Sequence, residues 1–232
     1  MKPSLVFQCA CLGLFVFLVA SCTPLYMSDT YVTSTPTAQD LDVSKLAVEP
    51  VAVLGVVAPA NLQGLGPSLS HALTNALGKA QPPIRAIPGY DTVSIINEQG
   101  LAQNYVNLLS DFGSRGILEL QLLRRISFAL GSRYVLLPGV GEFNQTIMDK
   151  YDVIGVKLVR TRVTTLRLWL QLWDARTGRI LWESAGELTA VSALLNAKRT
   201  VPLDRLAQTL WLDMIQQDLL GARTETRLFL RN

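Results

Sequence analysis

Alternating apolar and polar residues at positions 163–187 give the clearest structural signal in this chain. Side chains of a β-strand point to opposite faces in turn, so four leucines share one face: Leu166, Leu168, Leu170 and Leu172. The opposite face carries Arg167, Trp169, Gln171 and Trp173, which we call the tryptophan face. Residues 174–178 have turn-forming side chains, and residues 179–187 follow as a second strand. The pattern predicts a β-hairpin with one buried leucine face.

The register of this hairpin depends on the length of its turn. We favour a three-residue loop at 176–178, with Gly178 in a left-handed conformation. This loop predicts the cross-strand pairs Leu172–Trp182, Leu170–Ser184, Leu168–Gly186, Trp173–Leu181, Gln171–Glu183 and Arg167–Glu187. A four-residue loop would shift one strand and place Glu183 beside Leu170 on the leucine face. Because burying an unpaired carboxylate costs several kcal/mol, the longer loop is disfavoured.

Hydrophobic periodicity outside the hairpin predicts helices that alternate with short strands. Apolar runs predict strands at 51–57 and 134–137 and an extended segment at 84–87. Apolar residues at helical spacing predict helices near 65–77, 97–112, 118–129 and 202–220. Residues 144–155 are predicted to form a variable loop. The order of these elements predicts an α/β domain at residues 47–221, in which helices flank a single mixed β-sheet. The domain would end in a C-terminal β-hairpin and a terminal helix, and residues 222–232 would form a tail.

The N-terminal segment has the features of a bacterial export signal. Residues 5–19 are mostly apolar, and Lys2 is the only charged residue among the first 28. This run is shorter than the roughly 20 residues of a membrane span and fits a secretory signal. It ends in the sequence VASC at 19–22, which resembles a lipobox. We predict a lipoprotein signal peptide at 1–21 and lipidation of Cys22, with an ordinary cleaved signal or an uncleaved anchor as the alternatives.

Removal of the signal peptide would limit the chemistry of the mature chain. Cys9 and Cys11 would be lost and the lipid would occupy Cys22, which leaves no thiol for a disulfide, a metal ligand or a nucleophile. The net charge of +3 would fall by one with Lys2, which is too small a charge to suggest a nucleic-acid partner. Residues 22–46 are rich in Ser, Thr, Pro and Asp and predict a flexible tether. Such a tether would average about 27 Å as a coil and reach roughly 80 Å when extended.

Four segments of the predicted domain can be compared with known families: VAVLGVVAP at 51–59, INEQGLAQNYVNLL at 96–109, GSRYVLLPGVGEF at 131–143 and the hairpin at 166–187. Together they resemble the curli-secretion lipoprotein family. The resemblance covers about 48–220 and implies an anticodon-binding-like α/β domain in the periplasm, in a fold family that includes activators of penicillin-binding proteins and a polysaccharide-exporter subunit. It supplies no catalytic residue. Only the lipidated cysteine transfers, to Cys22, and Thr23 in place of Asp implies sorting to the outer membrane.

The chain departs from the pore protein of that family, which inserts amphipathic hairpins into the membrane. The corresponding region, 146–162, carries six charged residues: Asp149, Lys150, Asp152, Lys157, Arg160 and Arg162. A membrane-spanning strand needs about 9–11 residues with an apolar set that faces lipid. We therefore do not expect this chain to form a pore.

Motifs for catalysis or ligand binding are few. His71 is the only histidine, and without a partner residue for a metal or nucleophilic site it is expected to be solvated. Residues 64–67 lack the Lys-Ser/Thr ending of a phosphate-binding loop. Asp174 is expected to accept amide hydrogens near Thr177 and Gly178 in the turn. We expect no cofactor and no metal site.

The tryptophan face is the candidate partner-binding site. Its residues are Arg167, Trp169, Gln171 and Trp173, and both Trp and Arg are enriched where interfaces carry binding energy. The alternative is that helices cover this face and the tryptophans belong to the core. We expect coverage at Trp169, in the middle of the strand, and partial exposure at Trp173, beside the turn.

The function predicted from these features is a non-enzymatic one. We expect a lipid-anchored binding or assembly accessory protein of an envelope machine, on the periplasmic face of the outer membrane. Its partner would be another envelope protein or a second copy of the chain, and not a nucleic acid. The alternatives are a ring-forming structural subunit of an envelope exporter and a glycan or peptidoglycan hydrolase that uses Glu183 and Glu187.

Overall fold

A computed structural model describes residues 26–35, 38–39, 41–151, 157–193 and 201–221 of the chain. The predicted signal peptide, the lipidation site Cys22 and the predicted C-terminal tail at 222–232 lie outside these residues. None of the helices in the described ranges is long and apolar enough to cross a membrane.

Six strands in the described residues form one mixed sheet. They are β1 (Tyr26–Ser34), β2 (Val51–Val53), β3 (Ala86–Ile87), β4 (Tyr134–Tyr151), β5 (Lys157–Asp174) and β6 (Arg179–Ala193). Their order across the sheet is β1-β6-β5-β4-β2-β3. The four strands from β1 to β4 in this order are antiparallel to one another, whereas β2 is parallel to both β4 and β3. The sheet confirms the predicted α/β fold class.

Five α-helices in the described part of the chain pack on the two faces of this sheet. They are α1 (Gly66–Lys79), α2 (Gly89–Glu98), α3 (Ala102–Arg115), α4 (Leu120–Ala129) and α5 (Leu203–Asp213). A π-helical turn, Met214–Leu219, extends α5, and short 3-10 helices span Val43–Ala47 and Ala60–Leu65. Residues of α1 and α5 bury the leucine face, whereas residues of α2, α3 and α4 pack on the opposite face.

The helix prediction near 97–112 was incomplete. The structure has two helices there, because Gly100 takes a left-handed conformation with φ 67° between α2 and α3. Helix α2 begins directly after Pro88 and was not predicted. Its buried residues include Gly89 and Thr92. Neither is counted as apolar when the helical period of a sequence is assessed, so the pattern did not indicate a helix there.

The leucine face of β5 forms the centre of the larger core, as predicted. Leu166, Leu168, Leu170 and Leu172 are all buried. They belong to one apolar cluster with the α1 residues Leu69 and Leu73 and with Trp182 and Trp211. Burial of this face explains why the period-two pattern is so regular in this strand, since each second position must be apolar.

The hairpin register is confirmed over most of its length, but the turn is one residue longer than predicted. The pairs that match the prediction are Leu172–Trp182, Leu170–Ser184, Leu168–Gly186, Gln171–Glu183 and Arg167–Glu187. The loop is Ala175–Gly178, so Asp174 pairs with Arg179 and Trp173 pairs with Ile180 rather than Leu181. A β-bulge at Leu181 absorbs the extra residue and returns Glu183 to its predicted position. Gly178 has the predicted left-handed conformation, with φ 71°.

The predicted loop at 144–155 is wrong for its described part. Strand β4 continues to Tyr151 and pairs with β5, which begins at Lys157, so that these two strands form a long antiparallel hairpin. The side chains from Asn144 to Ile147, the part of this extension whose side chains are described, are exposed. An exposed strand needs no apolar face, and its sequence therefore lacks the alternation that identifies a half-buried strand.

The predicted flexible tether at 22–46 is also wrong for its described residues. Strand β1 pairs with β6 over nine consecutive residue pairs, from Tyr26–Ser192 to Ser34–Ser184. The 3-10 helix Val43–Ala47 follows, with Asp42 accepting the Ser44 amide hydrogen at 3.1 Å and Leu46 buried. Thr, Tyr and Val favour strands, but the Ser, Thr and Asp content of β1 resembles that of a linker. The folded domain therefore begins about 20 residues earlier than predicted.

Candidate partner-binding face

Trp173 is buried at the end of the tryptophan face that lies nearest the turn. Its side chain is only 7% exposed and packs in the second core with residues of α2, α3 and α4. The ring of Phe112, from α3, meets it edge to face with centroids 6.4 Å apart. The expected partial exposure of Trp173 is therefore wrong, because residues of α2, α3 and α4 cover the turn end of β5.

Trp169 lies at the margin of the helical layer and is partly buried. Its indole packs on Gly139, the residue directly across on β4, and its ring centroid is 5.7 Å from that of Phe112. A Cβ atom at Gly139 would overlap with Cε2 and Cζ2 of the indole. Only a glycine at this position lets the Trp169 ring lie against the β4 backbone. The expected coverage of Trp169 is thus only partial.

Gln171 connects the buried and open parts of the face by hydrogen bonds. Its amide oxygen accepts a hydrogen bond from Trp173 Nε1 at 3.1 Å, and its Nε2 donates to Glu183 Oε2 at 2.7 Å. The indole N–H of Trp173 is therefore satisfied inside the core. The predicted cross-strand partnership of Gln171 and Glu183 is confirmed.

Arg167 is the exposed member of the tryptophan face. Its Nε donates to Glu187 Oε2 at 2.5 Å, and its Nη1 lies 2.8 Å from Glu142 Oε2. The hydrogen bond and the charge of Glu187, followed by the charge of Glu142, raise the pKa of the Arg167 guanidinium above its ordinary value. The guanidinium thus lies between carboxylates from the two neighbouring strands, in contact with water.

A row of side chains crosses four strands at the level of Arg167. Tyr31 of β1 pairs with Glu187 of β6, and Glu187 pairs with Arg167 of β5. Arg167 pairs in turn with Glu142 of β4. Tyr31 is 49% exposed and extends the surface beyond the predicted residues. We call this row, together with the adjoining edge of Trp169, the open sheet face. Sequence reasoning missed Tyr31 because β1 was not recognised as a strand.

The carboxylate of Asp174 holds the turn, although not through the amides that were predicted. Its Oδ1 accepts the Arg176 amide hydrogen at 2.9 Å, and its Oδ2 accepts from Arg133 Nη2 at 2.7 Å. Burial by itself would raise the pKa of Asp174, but the hydrogen bonds from Arg133 and Arg176 and the positive charges of these two residues lower that pKa below its ordinary value. Asp174 therefore stays ionised in the fold and has a structural role.

Two carboxylates near the terminal helix were not predicted as a group. Burial raises the pKa of Asp213, and the negative charge of Asp218 raises it further. Burial also raises the pKa of Asp218, against the opposing effect of hydrogen bonds with Ser184 and Ser34. The Ser184 Oγ lies 3.4 Å from Asp218 Oδ2. The sequence carried no signal for this arrangement, because Ser34 belongs to the unpredicted strand β1.

The remaining candidate positions lie apart from the open sheet face. His71 is exposed on α1, beside an open groove of about 410 Å³ that Asp204 also lines. Residues 64–67 join the second 3-10 helix to α1. A groove of about 510 Å³ runs along α4, beside the exposed Phe128. Within the described ranges, no group of three or more His, Cys, Asp or Glu side chains is placed to hold a metal ion.

Comparisons with known proteins find only distant structural likenesses. No family model and no curated protein matches the chain. Similar solved structures include the PelC dodecamer from Paraburkholderia phytofirmans, with 16% identity, a TM-score of 0.45, and coverage of 81% of this chain and 96% of that one. Lipoprotein GNA1162 from Neisseria meningitidis has 15% identity, a TM-score of 0.42 and coverage of 72% and 97%. The LpoB C-terminal domain from Salmonella enterica has 17% identity, a TM-score of 0.37 and coverage of 65% and 86%. The neighbours thus include a bacterial lipoprotein, and at these scores they carry no argument about function.

Proposed function

We propose that this protein is a lipid-anchored, non-enzymatic binding or assembly protein of the bacterial envelope, similar to the curli-secretion lipoproteins. The observation that carries the proposal is the sequence VASC at 19–22, which follows an apolar run and precedes the first strand of a folded domain by three residues. This arrangement suits acylation of Cys22 and removal of everything before it. Thr23, rather than Asp, after the cysteine favours the periplasmic face of the outer membrane.

The open sheet face supports a binding role for the domain. Arg167 lies exposed between two carboxylates, and the Trp169 ring is held at the margin of the helical layer by Gly139 and Phe112. Trp and Arg are both among the residue types enriched at the positions that carry most of the binding energy in protein interfaces. Glu183 and Glu187 each accept a hydrogen bond from a neighbouring side chain, which favours a structural role for them over hydrolysis. The partner class that fits is another envelope protein.

Replacement of Cys22 by alanine tests the anchor. We expect Cys22→Ala to abolish acyl labelling and to release the domain from the outer-membrane fraction, because the thiol that accepts the lipid is lost. Cys11→Ala is the matched control, since that cysteine lies inside the predicted signal peptide, and it should keep both acylation and fractionation. Unchanged acyl labelling and fractionation of the Cys22→Ala variant would contradict the proposal.

Charge reversal at Arg167 tests the binding face. In intact envelopes, Arg167→Glu is expected to reduce the yield of crosslinks between this protein and its partner at least several-fold, because three carboxylates would then meet at the open sheet face. Arg125→Glu, on the exposed surface of α4, should leave the yield unchanged. Equal crosslinking yields in the two variants, measured at equal protein levels and equal unfolding midpoints, would rule out this face as the binding site.

A further inference from the structure

We propose that the outer edge of strand β1 pairs with the same strand of a second copy of this chain, so that two sheets join into one across a two-fold axis. The outer edge is the side of β1 that faces away from β6. The residues that carry the inference are 29–34, the part of β1 whose side chains are described. The pairing adds a contact between copies to the binding role of the open sheet face, and it does not depend on acylation of Cys22.

The two edges of the sheet differ in how readily they accept another strand. At one edge, β3 is only two residues long, and so short a strand offers little to an incoming chain. At the other edge, β1 pairs with β6 over nine residues in one unbroken register. Strand β1 has no Pro, Lys, Arg or bulge, which are the features that commonly prevent pairing at an edge. Among the described residues, no strand pairs with its outer side.

Alternate residues of β1 direct their backbone N–H and C=O groups to this outer side. The Thr35 N–H donates to the Glu183 carbonyl oxygen at 2.9 Å, one residue beyond the last β1–β6 pair, so the odd-numbered residues face β6. In an antiparallel pair, residues that exchange both backbone hydrogen bonds with a neighbour alternate with residues that exchange none. The backbone groups of the even-numbered residues, including Thr30 and Val32, therefore point outward and can bond to a further strand.

A two-fold axis at Tyr31 makes this edge complementary to itself. Antiparallel pairing about Tyr31 sets Thr30 of one copy opposite Val32 of the other, and each such pair exchanges two backbone hydrogen bonds through the outward groups. Tyr31 then lies opposite Tyr31 of the second copy in a pair without hydrogen bonds, where the Cα atoms are about 4.5 Å apart. Because Tyr31 is 49% exposed in the single chain, the pairing covers aromatic surface that otherwise faces water.

The single charge on β1 also fits a second copy in this register. Asp29 is the only charged residue of the strand. Pairing about Tyr31 places Asp29 opposite Thr33 of the second copy, whose hydroxyl can donate to the carboxylate. It keeps the two Asp29 carboxylates apart, and like charges directly opposite one another would destabilise the pair. One strand thus supplies both sides of the contact, with matching hydrogen-bond directions and no opposed charges.

The joined sheet would present two binding faces to a partner. The two-fold axis is perpendicular to the sheet, so the open sheet faces of both copies lie on the same side. The row of side chains at the level of Tyr31 continues across the axis into the same row of the second copy. Equivalent atoms of the two copies lie at equal heights along this axis, which is compatible with two lipid anchors in one membrane leaflet.

Proline at residue 30 tests the edge. The chain from residue 22 onward with Cys22→Ala, which has no lipid and no cysteine, is expected to sediment as a dimer. Thr30→Pro removes an outward N–H but no hydrogen bond to β6, so this variant should sediment as a monomer and keep its near-ultraviolet circular dichroism. Thr30→Val keeps the N–H and the β-branched shape, and as the matched control it should remain a dimer.

Cysteine substitutions in the same Cys22→Ala chain test the register. Tyr31→Cys places one thiol on each side of the axis, at a Cα separation of about 4.5 Å that a disulfide can span. Mild oxidation is therefore expected to link two copies through this position. The matched control, Asp29→Cys, should stay unlinked, because the two copies of residue 29 lie about 13 Å apart along the strands.

Three results would overturn the inference. Sedimentation of the Cys22→Ala chain as a monomer would show that the edge does not pair with a second copy, for instance because another segment of the chain covers it. A dimer that persists in Thr30→Pro would place the contact elsewhere. Linking of Asp29→Cys as readily as Tyr31→Cys would contradict the register. Since these measurements involve neither the lipid nor Arg167, their failure leaves the proposed function standing, and failure of acylation leaves this inference standing.

Discussion

Replacing Leu170 by alanine is expected to lower the free energy of unfolding by about 2–5 kcal/mol. Leu170 has no exposed surface, and it lies in the middle of β5 on the leucine face. The close-packed neighbours of this face include residues of α1 and α5. They cannot fully collapse into the space that a truncated side chain leaves. Chemical denaturation of the mature chain measures the change.

The matched control for this truncation is Val106→Ala. Val106 is an apolar residue of α3 that is 58% exposed, and its truncation should change the free energy of unfolding by no more than about 0.5 kcal/mol. Equal effects of the two substitutions would show that the leucine face does not form the core.

An alanine at Gly139 is expected to cost about 1–3 kcal/mol of stability, the usual range for overpacking. The added Cβ would overlap with two carbons of the Trp169 ring, so the indole must move away from β4 and from its contact with Phe112. Because an indole that leaves this position becomes more accessible to water, the tryptophan fluorescence should shift to the red. Chemical denaturation measures the loss of stability, and the emission maximum, with iodide quenching as a check on accessibility, measures the second effect.

The chain offers a close control for Gly139 two residues along the same strand. A Cβ at Gly141 would meet no atom closer than 3.9 Å, so Gly141→Ala should leave both stability and fluorescence nearly unchanged. In the double variant Gly139→Ala with Trp169→Ala, the added methyl group has no ring to meet. Its destabilisation should therefore be smaller than the sum of the two single effects. Simple additivity would contradict the proposed packing of Trp169 on Gly139.

The orientation of side chains in the hairpin followed directly from the sequence. Alternation with period two separates the leucine face from the tryptophan face, because a strand in a sheet must place successive residues on opposite sides. The pairing of Gln171 with Glu183 and of Arg167 with Glu187 followed from keeping carboxylates off the leucine face. The length of the turn did not follow in the same way. With a bulge at Leu181, a four-residue loop gives the same residue pairs from Leu172–Trp182 onward as a three-residue loop without a bulge. No local feature of the sequence distinguishes these two turns.

Elements whose side chains face water were hard to recognise before the fold was known. Strand β1 and the outer part of β4 are held by backbone hydrogen bonds to their neighbours, and such bonds place little demand on side-chain hydrophobicity. The Ser and Thr content of β1 therefore resembled that of a linker, although nine of its residues pair with β6. The described residues 26–34, predicted to be part of a tether, are instead an edge strand of the sheet.

The fold class and the polarity of each hairpin face were determined by the sequence alone, because burial imposes a period on the residues that experience it. The exposure of the two tryptophans was decided only by the tertiary structure. Trp169 and Trp173 have the same local pattern, yet α3 and α4 cover the turn end of β5 and leave Trp169 at their margin. The position of a helix over a sheet depends on contacts between residues that are distant in sequence, such as Phe112 with Trp169. Those contacts leave no periodic trace in either segment, so only the assembled fold shows which side chains remain exposed to solvent.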